Sequence, residues 1–229
     1  MRRGYLYTLL SFAILTLASC SATKFVPDGY YLLDEVKVST NNKEVKPSGL
    51  RNYVRQNPNA KWFSLIKTQL YVYDLSGRDS SKWYNKFLRK IGDAPVIYNE
   101  SEAQRSQEEI TKAVQNMGYM SASVKRTTKI KKKKLKLYYE VTTGKPYTVR
   151  TLKYDIGDPK VGEYMRKDSA NTLLKEGMLF DVNVLDAERQ RITDHLLRNG
   201  YYKFNKDYIS YTADTASSSA HPAILKGVC

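Results

Sequence analysis

Two stretches of this chain repeat one another at a fixed separation of 82 residues, and the repeat limits the possible folds more than any other feature. Ile110-Thr111, Val114 and Gly118-Tyr119 recur as Ile192-Thr193, Leu196 and Gly200-Tyr201, and Tyr98-Asn99 recur as Phe180-Asp181. Phe87 to Gly92 resembles Leu173 to Gly177 with a few residues of slippage. Farther upstream, Tyr31, Leu33, Val36 and Val38 correspond to Tyr147, Val149, Leu152 and Tyr154. Each copy reads strand, helix, turn, helix, Gly-Tyr, strand. The first copy is longer by 34 residues, which places an insertion at about 41–80.

The helix before each Gly-Tyr carries an apolar stripe. Ala103, Ile110, Val114 and Met117 fall on one face in the first copy, and Leu185, Ile192 and Leu196 in the second. Ser101 with Gln104 predicts a capping box, Asn183 is the corresponding cap, and Gly118 and Gly200 stop the helices. Met120, Ala122 and Val124 then alternate with polar residues, as do Leu135, Leu137, Tyr139 and Val141 on the return strand. Period two with one apolar face means a sheet covered on one side. The expected fold class is α+β: two tandem modules, each a three-stranded sheet under two helices.

The N-terminus has the order of a lipoprotein signal peptide. Arg2 and Arg3 precede an uncharged, mostly apolar run to Ala18, too short for a bilayer span, and Leu17-Ala18-Ser19-Cys20 has the form of a lipobox. Residues 1–19 are thus expected to be removed, Cys20 to carry the diacylglyceryl group, and residues 20–29 to form a tether to a membrane surface. The chain is basic, with a formal charge of +15 that falls to +13 without Arg2 and Arg3. Its other cysteine is Cys229, so with Cys20 acylated no intrachain disulfide is available.

The two Gly-Tyr helix ends, the Ile-Thr stripe and the tyrosine-led first strands are similar to those of POTRA modules. The lipobox, Phe25-Val26-Pro27-Asp28-Gly29-Tyr30-Tyr31, Gln56-Asn57-Pro58-Asn59 and Gly92-Asp93-Ala94-Pro95-Val96 together resemble TamL, the lipidated branch of the BamA/TamA superfamily. The resemblance covers about residues 1–214 and divides the chain into a POTRA-like module at 30–145, a second at 146–214 and an irregular tail at 215–229. It implies the outer membrane as location, with a lipid anchor and a face toward the periplasm. It also implies barrel precursors or a TamB-like protein as partners, and a role in outer-membrane protein assembly or translocation. After Tyr211 the chain has linker composition and then only a short apolar run, Ala223 to Val228. The second module is therefore expected to lack its last, central strand and the chain to stop before a β-barrel, which puts insertase activity in doubt. A passive docking scaffold and an inert gene fragment are the rival expectations.

No nucleophile elbow, phosphate loop, metalloprotease motif or metal-ligand cluster is present, so the sequence points to a non-enzymatic protein without a cofactor, and an exported chain meets little nucleic acid. Two histidines, His195 and His221, offer no ligand pattern. The expected site is a sheet edge open to an extended client, formed by Tyr119, Ser121, Ser123 and Lys125, with residues 201–211 as its second-copy counterpart. The lysine run from Lys129 to Lys136 reads as a solvated hairpin tip that guards the sheet edge, in preference to a patch for lipid headgroups. Trp62, Phe63, Leu65, Ile66, Leu70, Tyr71, Tyr73 and Trp83 of the insertion read as a local minicore, in preference to an exposed aromatic surface.

Overall fold

The computed structural model describes residues 22–62, 67–214 and 222–228. The signal peptide, Cys20, Phe63, Leu65, Ile66, residues 215–221 and Cys229 lie outside the described residues. In chain order the elements are β1 (Leu32–Thr40), a short α1 (Pro47–Leu50), α2 (Thr68–Leu75), α3 (Trp83–Ile91), α4 (Glu100–Asn116), β2 (Ser123–Lys131) and β3 (Lys134–Thr142). They continue as β4 (Thr148–Asp155), α5 (Pro159–Lys167), α6 (Val182–Arg198), β5 (Ser210–Asp214) and β6 (Pro222–Val228). Among the described residues no helix is long and apolar enough to cross a membrane.

The repeat in sequence is a repeat in hydrogen bonds. Tyr98 N donates to Tyr31 O at 2.8 Å and Leu33 N to Val96 O at 2.8 Å; in the second half Phe180 N donates to Tyr147 O at 2.9 Å and Val149 N to Met178 O at 2.8 Å. In both halves the segment entering the long helix therefore bridges to the start of the first strand, at Leu32 with Ile97 and at Thr148 with Leu179.

Both long helices begin earlier than the capping boxes predict. Asn99 Oδ1 accepts from Ser101 N at 2.9 Å and Glu102 N at 3.3 Å, so Asn99, not Ser101, caps α4. Asp181 Oδ1 accepts from Asn183 N at 2.8 Å, so Asp181, not Asn183, caps α6. Asn99 and Asp181 are a matched pair in the repeat, and a short acceptor side chain reaches the free N–H groups of the first turn from that position. At the other end, Gly118 takes φ +94° and Gly200 φ +93°. Gly118 N donates to Gln115 O and Tyr119 N to Val114 O; Gly200 N donates to Leu197 O and Tyr201 N to Leu196 O. This is the paired bond pattern of the Schellman stop, with an aromatic residue just beyond the glycine packing back on the last turn.

That stop corrects one expectation. Tyr119 and Tyr201 do not open the next strand. Tyr119 is buried beside the helix end, and the strands start later, at Ser123 and Ser210, after turns. A second correction concerns Phe87 to Gly92 and Leu173 to Gly177: the former lies in α3 and its C-cap, the latter in irregular chain, so their likeness does not extend to structure.

The first sheet has the order β1-β3-β2. Leu32 N reaches Lys133 O and Asn41 N reaches Val141 O, so β1 and β3 run parallel. The second sheet has the order β4-β6-β5, with β6 parallel to β4 and antiparallel to β5. The expected incomplete second module is thus corrected: residues 222–228 form its central strand rather than an irregular tail. Pro222 stands at the first strand position, where its missing N–H disrupts the ladder least.

Packing gathers the chain into two compact units. One comprises Met1–Ser39, Pro47–Glu108 and Lys125–Glu140; the other comprises Thr40–Lys46, Glu109–Val124 and Val141–Cys229. In the first, Ala22, Val26, Leu32 and Leu70 form a buried cluster, with Tyr71 and Ile97 against it. In the second, Val161, Met165, Ile192, Leu196 and Ile209 form one cluster and Val149, Leu174 and Leu185 another. The second unit also holds the end of α4, where Tyr147 N donates to Gly118 O at 2.8 Å.

The two glycines differ in their surroundings. A Cβ on Gly118 would stand 3.2 Å from the Phe180 backbone nitrogen and oxygen, whereas one on Gly200 would meet nothing within 4 Å. Gly200→Ala is expected to cost roughly 1–2 kcal/mol, the penalty of a left-handed L-residue. Gly118→Ala should cost more, because the Phe180 backbone must also move. Urea denaturation of both variants checks the order.

Candidate functional site

Edge strand β2 has no neighbour on its outer side within the sheet β1-β3-β2. Of the four residues expected to form the edge, Ser123 and Lys125 lie in β2 and are exposed, and Ser121 lies exposed in the turn before it. Tyr119 stands apart from them: it is 2% exposed, and its hydroxyl donates to Glu44 Oε2 at 3.0 Å. In the second half, β5 occupies the outer position, but of residues 201–211 only Ser210 and Tyr211 belong to it.

Beside β2 lies a groove of about 670 Å³, lined by Tyr30, Tyr31, Ile97, Tyr98, Thr128 and Ile130 among others. Gly29, at φ +83°, turns the chain so that the two tyrosines follow at the groove. The polar end of the groove is organised by charge. Tyr98 donates its hydroxyl to Glu100 Oε2 at 2.5 Å, and Arg126 of β2 pairs with the Glu100 carboxylate. The Tyr98 hydrogen bond, aided by Arg126, holds the Glu100 carboxyl below its ordinary range; burial and the neighbouring carboxylate push the Tyr98 phenol up. Arg126 is thereby fixed beside the edge. Nothing in the local sequence signals this trio, because Arg126 is 26 residues from Glu100 along the chain.

The lysine run is partly tied down. Lys132 takes φ +55° at the hairpin turn. Lys133 Nζ pairs with Asp28 Oδ1 at 2.6 Å and donates to Val26 O at 3.3 Å, which fastens the segment before β1 to the tip of the hairpin. Lys136 pairs with Glu35 at 2.9 Å, and Lys129 lies 5.4 Å from the Tyr138 ring.

The second unit contains a cavity of about 190 Å³ lined by Leu152, Tyr154, Met165, Glu188 and Arg191 among others. Its charged floor is self-satisfied. Glu188, fully buried, accepts from Arg191 Nε at 2.8 Å and Nη2 at 2.9 Å, Thr172 Oγ1 at 2.9 Å and Leu173 N at 3.0 Å; Arg191 also pairs with Asp168. Burial alone would raise the Glu188 pKa, but Arg191, the Leu173 backbone and Thr172 together hold it below the ordinary range. With all four acceptor directions used, this carboxylate is a structural group and not a general base. His195 Nδ1 sits 3.7 Å from Asp168. Among the described residues no group of three or more His, Cys, Asp or Glu side chains is placed to hold a metal ion.

In the insertion a carboxylate is buried without a partner. Asp74 of α2 is 1% exposed, and neither of its carboxyl oxygens is hydrogen-bonded. Burial pushes its pKa up to about 6, against the pull of Lys24.

The first sheet thus sets β1 parallel to the central β3, with β2 at an outer position beside the groove. Residues 31–144 match the family model described as POTRA, surface antigen variable number repeat. Among solved structures the chain is similar to BamA from Haemophilus ducreyi lacking POTRA domains 1–3, at 15% identity over 86% of this chain and 29% of that one, with a TM-score of 0.42. It is similar to POTRA1–2 of the periplasmic domain of Omp85 from Anabaena at 12% identity, over 88% of this chain and 97% of that one, with a TM-score of 0.37. BamA POTRA3–5 from Haemophilus influenzae is similar at 13% identity, over 90% and 100%, with a TM-score of 0.34. The chain spans 29% of the Haemophilus ducreyi BamA chain. No curated protein matches it.

The two buried carboxylates respond oppositely to pH. Asp74 binds a proton more tightly when folded, so it costs stability as pH rises from about 4 through about 6. Asp74→Asn should therefore raise the melting temperature at pH 7.5, by up to about 3 kcal/mol in stability, and the gain should vanish near pH 4. Glu188 stabilises above its unfolded value near 4.5, and that contribution is lost as pH falls below it. Glu188→Ala, which leaves Arg191 with Asp168 alone and removes the acceptor of Thr172 and Leu173, should cost about 3 kcal/mol at pH 7, whereas Glu163→Ala in the exposed pair with Lys167 should change nothing measurable. Thermal melts at several pH values check all three.

Proposed function

We propose that this chain is the periplasmic POTRA portion of a TamL-type outer-membrane assembly or translocation factor, and that β2 binds its client or partner by strand addition. The observation that carries this reading is the outer position of β2 in a sheet within the segment that matches the POTRA family model. The outer side of an edge strand offers backbone N–H and C=O groups, which bind an extended chain with little demand on its sequence. The groove beside β2 adds Tyr30, Tyr31 and Ile130, which can take alternate side chains of an added strand, and Arg126 favours an acidic one at its polar end. Barrel precursors, whose strands alternate in polarity, meet those demands, as does a TamB-like partner. In this reading the chain is acylated at Cys20, faces the periplasm from the outer membrane, carries modules at 30–145 and 146–214 with β6 added to the second, and catalyses no reaction.

A photo-crosslinking residue at Ser123 or Lys125 tests the proposal. The expected adducts are with outer-membrane barrel precursors; one stoichiometric partner would instead mark β2 as a docking edge for a scaffold partner. Thr127→Pro and Thr128→Pro sharpen the test, since N–H groups of successive strand residues point to opposite sides. One of the two removes a donor that faces outward and should keep the fold while losing the adducts. Adducts that persist in that folded variant, or none from β2 at all, would overturn strand addition.

A further inference from the structure

Helix α3 is the least expected surface of the molecule. Its sequence, Trp83 to Ile91, contains no acidic residue. Asn85, Leu88 and Arg89 face inward. Asn85 is 2% exposed, accepts from Gly77 N at 2.7 Å and donates to Asp79 O at 2.7 Å. Arg89 donates to Ser76 Oγ at 3.2 Å and Gly77 O at 2.8 Å. The outward half carries two parallel stripes at four-residue spacing. Trp83, Phe87 and Ile91 form one and are 78%, 56% and 49% exposed; Lys82, Lys86 and Lys90 form the other and are all exposed. The aromatic residues of the insertion are thus not all spent in a minicore.

The start of the described chain is clamped to the same subdomain. Ala22 and Val26 are buried with Leu70 of α2. The Phe25 ring packs edge-on to Tyr73 at 5.3 Å and lies 5.3 Å from the Arg89 guanidinium of α3. Lys24 Nζ donates to Asp74 O at 3.0 Å and Ser76 O at 2.7 Å. Cys20 is two residues from Ala22, a reach of about 7 Å at most.

We propose that α3 is a membrane-docking helix, which lays Trp83, Phe87 and Ile91 into the headgroup boundary of an anionic phospholipid bilayer and sets Lys82, Lys86 and Lys90 against its phosphates. An apolar stripe with an aromatic residue beside a stripe of lysines is the pattern of a helix lying in a bilayer interface. The basic stripe selects the occupant: a second copy of α3 would bring lysine against lysine, whereas a phosphate surface neutralises them. The proximity of a bilayer rests on the acyl-anchor reading of Cys20, and the two act together: the anchor holds the chain at the surface and the helix orients this face toward it.

The test uses the chain from residue 20 onward with Cys20→Ser, so that no acyl chain can form, and with Trp62→Phe, so that Trp83 is the only tryptophan. With vesicles containing phosphatidylglycerol, Trp83 emission should shift to the blue and the chain should cosediment, about tenfold more tightly than with pure phosphatidylcholine. Phe87→Ser with Ile91→Ser should weaken binding about tenfold with an unchanged circular dichroism spectrum, because both side chains are exposed. Lys86→Glu with Lys90→Glu should abolish the preference for the anionic lipid. Emission that ignores vesicles, serine variants that bind as well as the parent, or a blue shift that grows with protein concentration in the absence of lipid would each overturn the proposal. The anchor reading fails by a different result, a chain extracted from membranes whose mass shows no diacylglyceryl group.

Discussion

Each half of this protein depends on how its long helix ends. A glycine at positive φ lets the backbone reverse within two residues, and the N–H groups of that glycine and of the tyrosine after it close on the last helical carbonyls. The reversal sends Tyr119 and Tyr201 back against the helix they follow rather than onward into a strand. The next strands, β2 and β5, then begin at Ser123 and Ser210 and take outer positions in their sheets. At the other end of each helix the same economy recurs. A short polar side chain caps the helix, and the residue before that cap pairs with the first strand, so two bonds tie helix to sheet in both copies.

Charge is handled in two ways inside this frame. Glu188 is buried with its full complement of donors, and the guanidinium beside it is shared with Asp168, so a charge that burial would expel stays ionised. Asp74 is buried without donors, and burial pushes its pKa up to about 6. The first arrangement rigidifies the second unit around its small cavity. The second leaves a weak point in the insertion, held in place by Lys24 on the neighbouring carbonyls rather than on the carboxylate itself. The surface follows a similar division: Lys133 pairs with Asp28 and Lys136 with Glu35 of β1, whereas Lys86 and Lys90 of α3 stand exposed.

The sequence by itself determined the duplicated α+β plan, the two apolar helix faces and their glycine stops. These are local properties: a 3.6-residue period, an alternation of two and a residue that tolerates positive φ are all written within a few neighbours of each other. It also marked Asn99 and Asp181 as equivalent, although the caps were expected two residues farther on at Ser101 and Asn183, because helix boundaries depend on which nearby acceptor the folded turn presents. Tertiary structure alone decided the rest. Residues 222–228 carry no strong strand pattern, yet they run parallel to β4 between it and β5, since a central strand is specified by its partners, here including β4 some 74 residues upstream, and not by its own periodicity. The Tyr98–Glu100–Arg126 trio, the Lys133–Asp28 tie and the exposure of Trp83 and Phe87 were hidden for the same reason: side-chain pairing and burial are set by distant segments that the fold brings together.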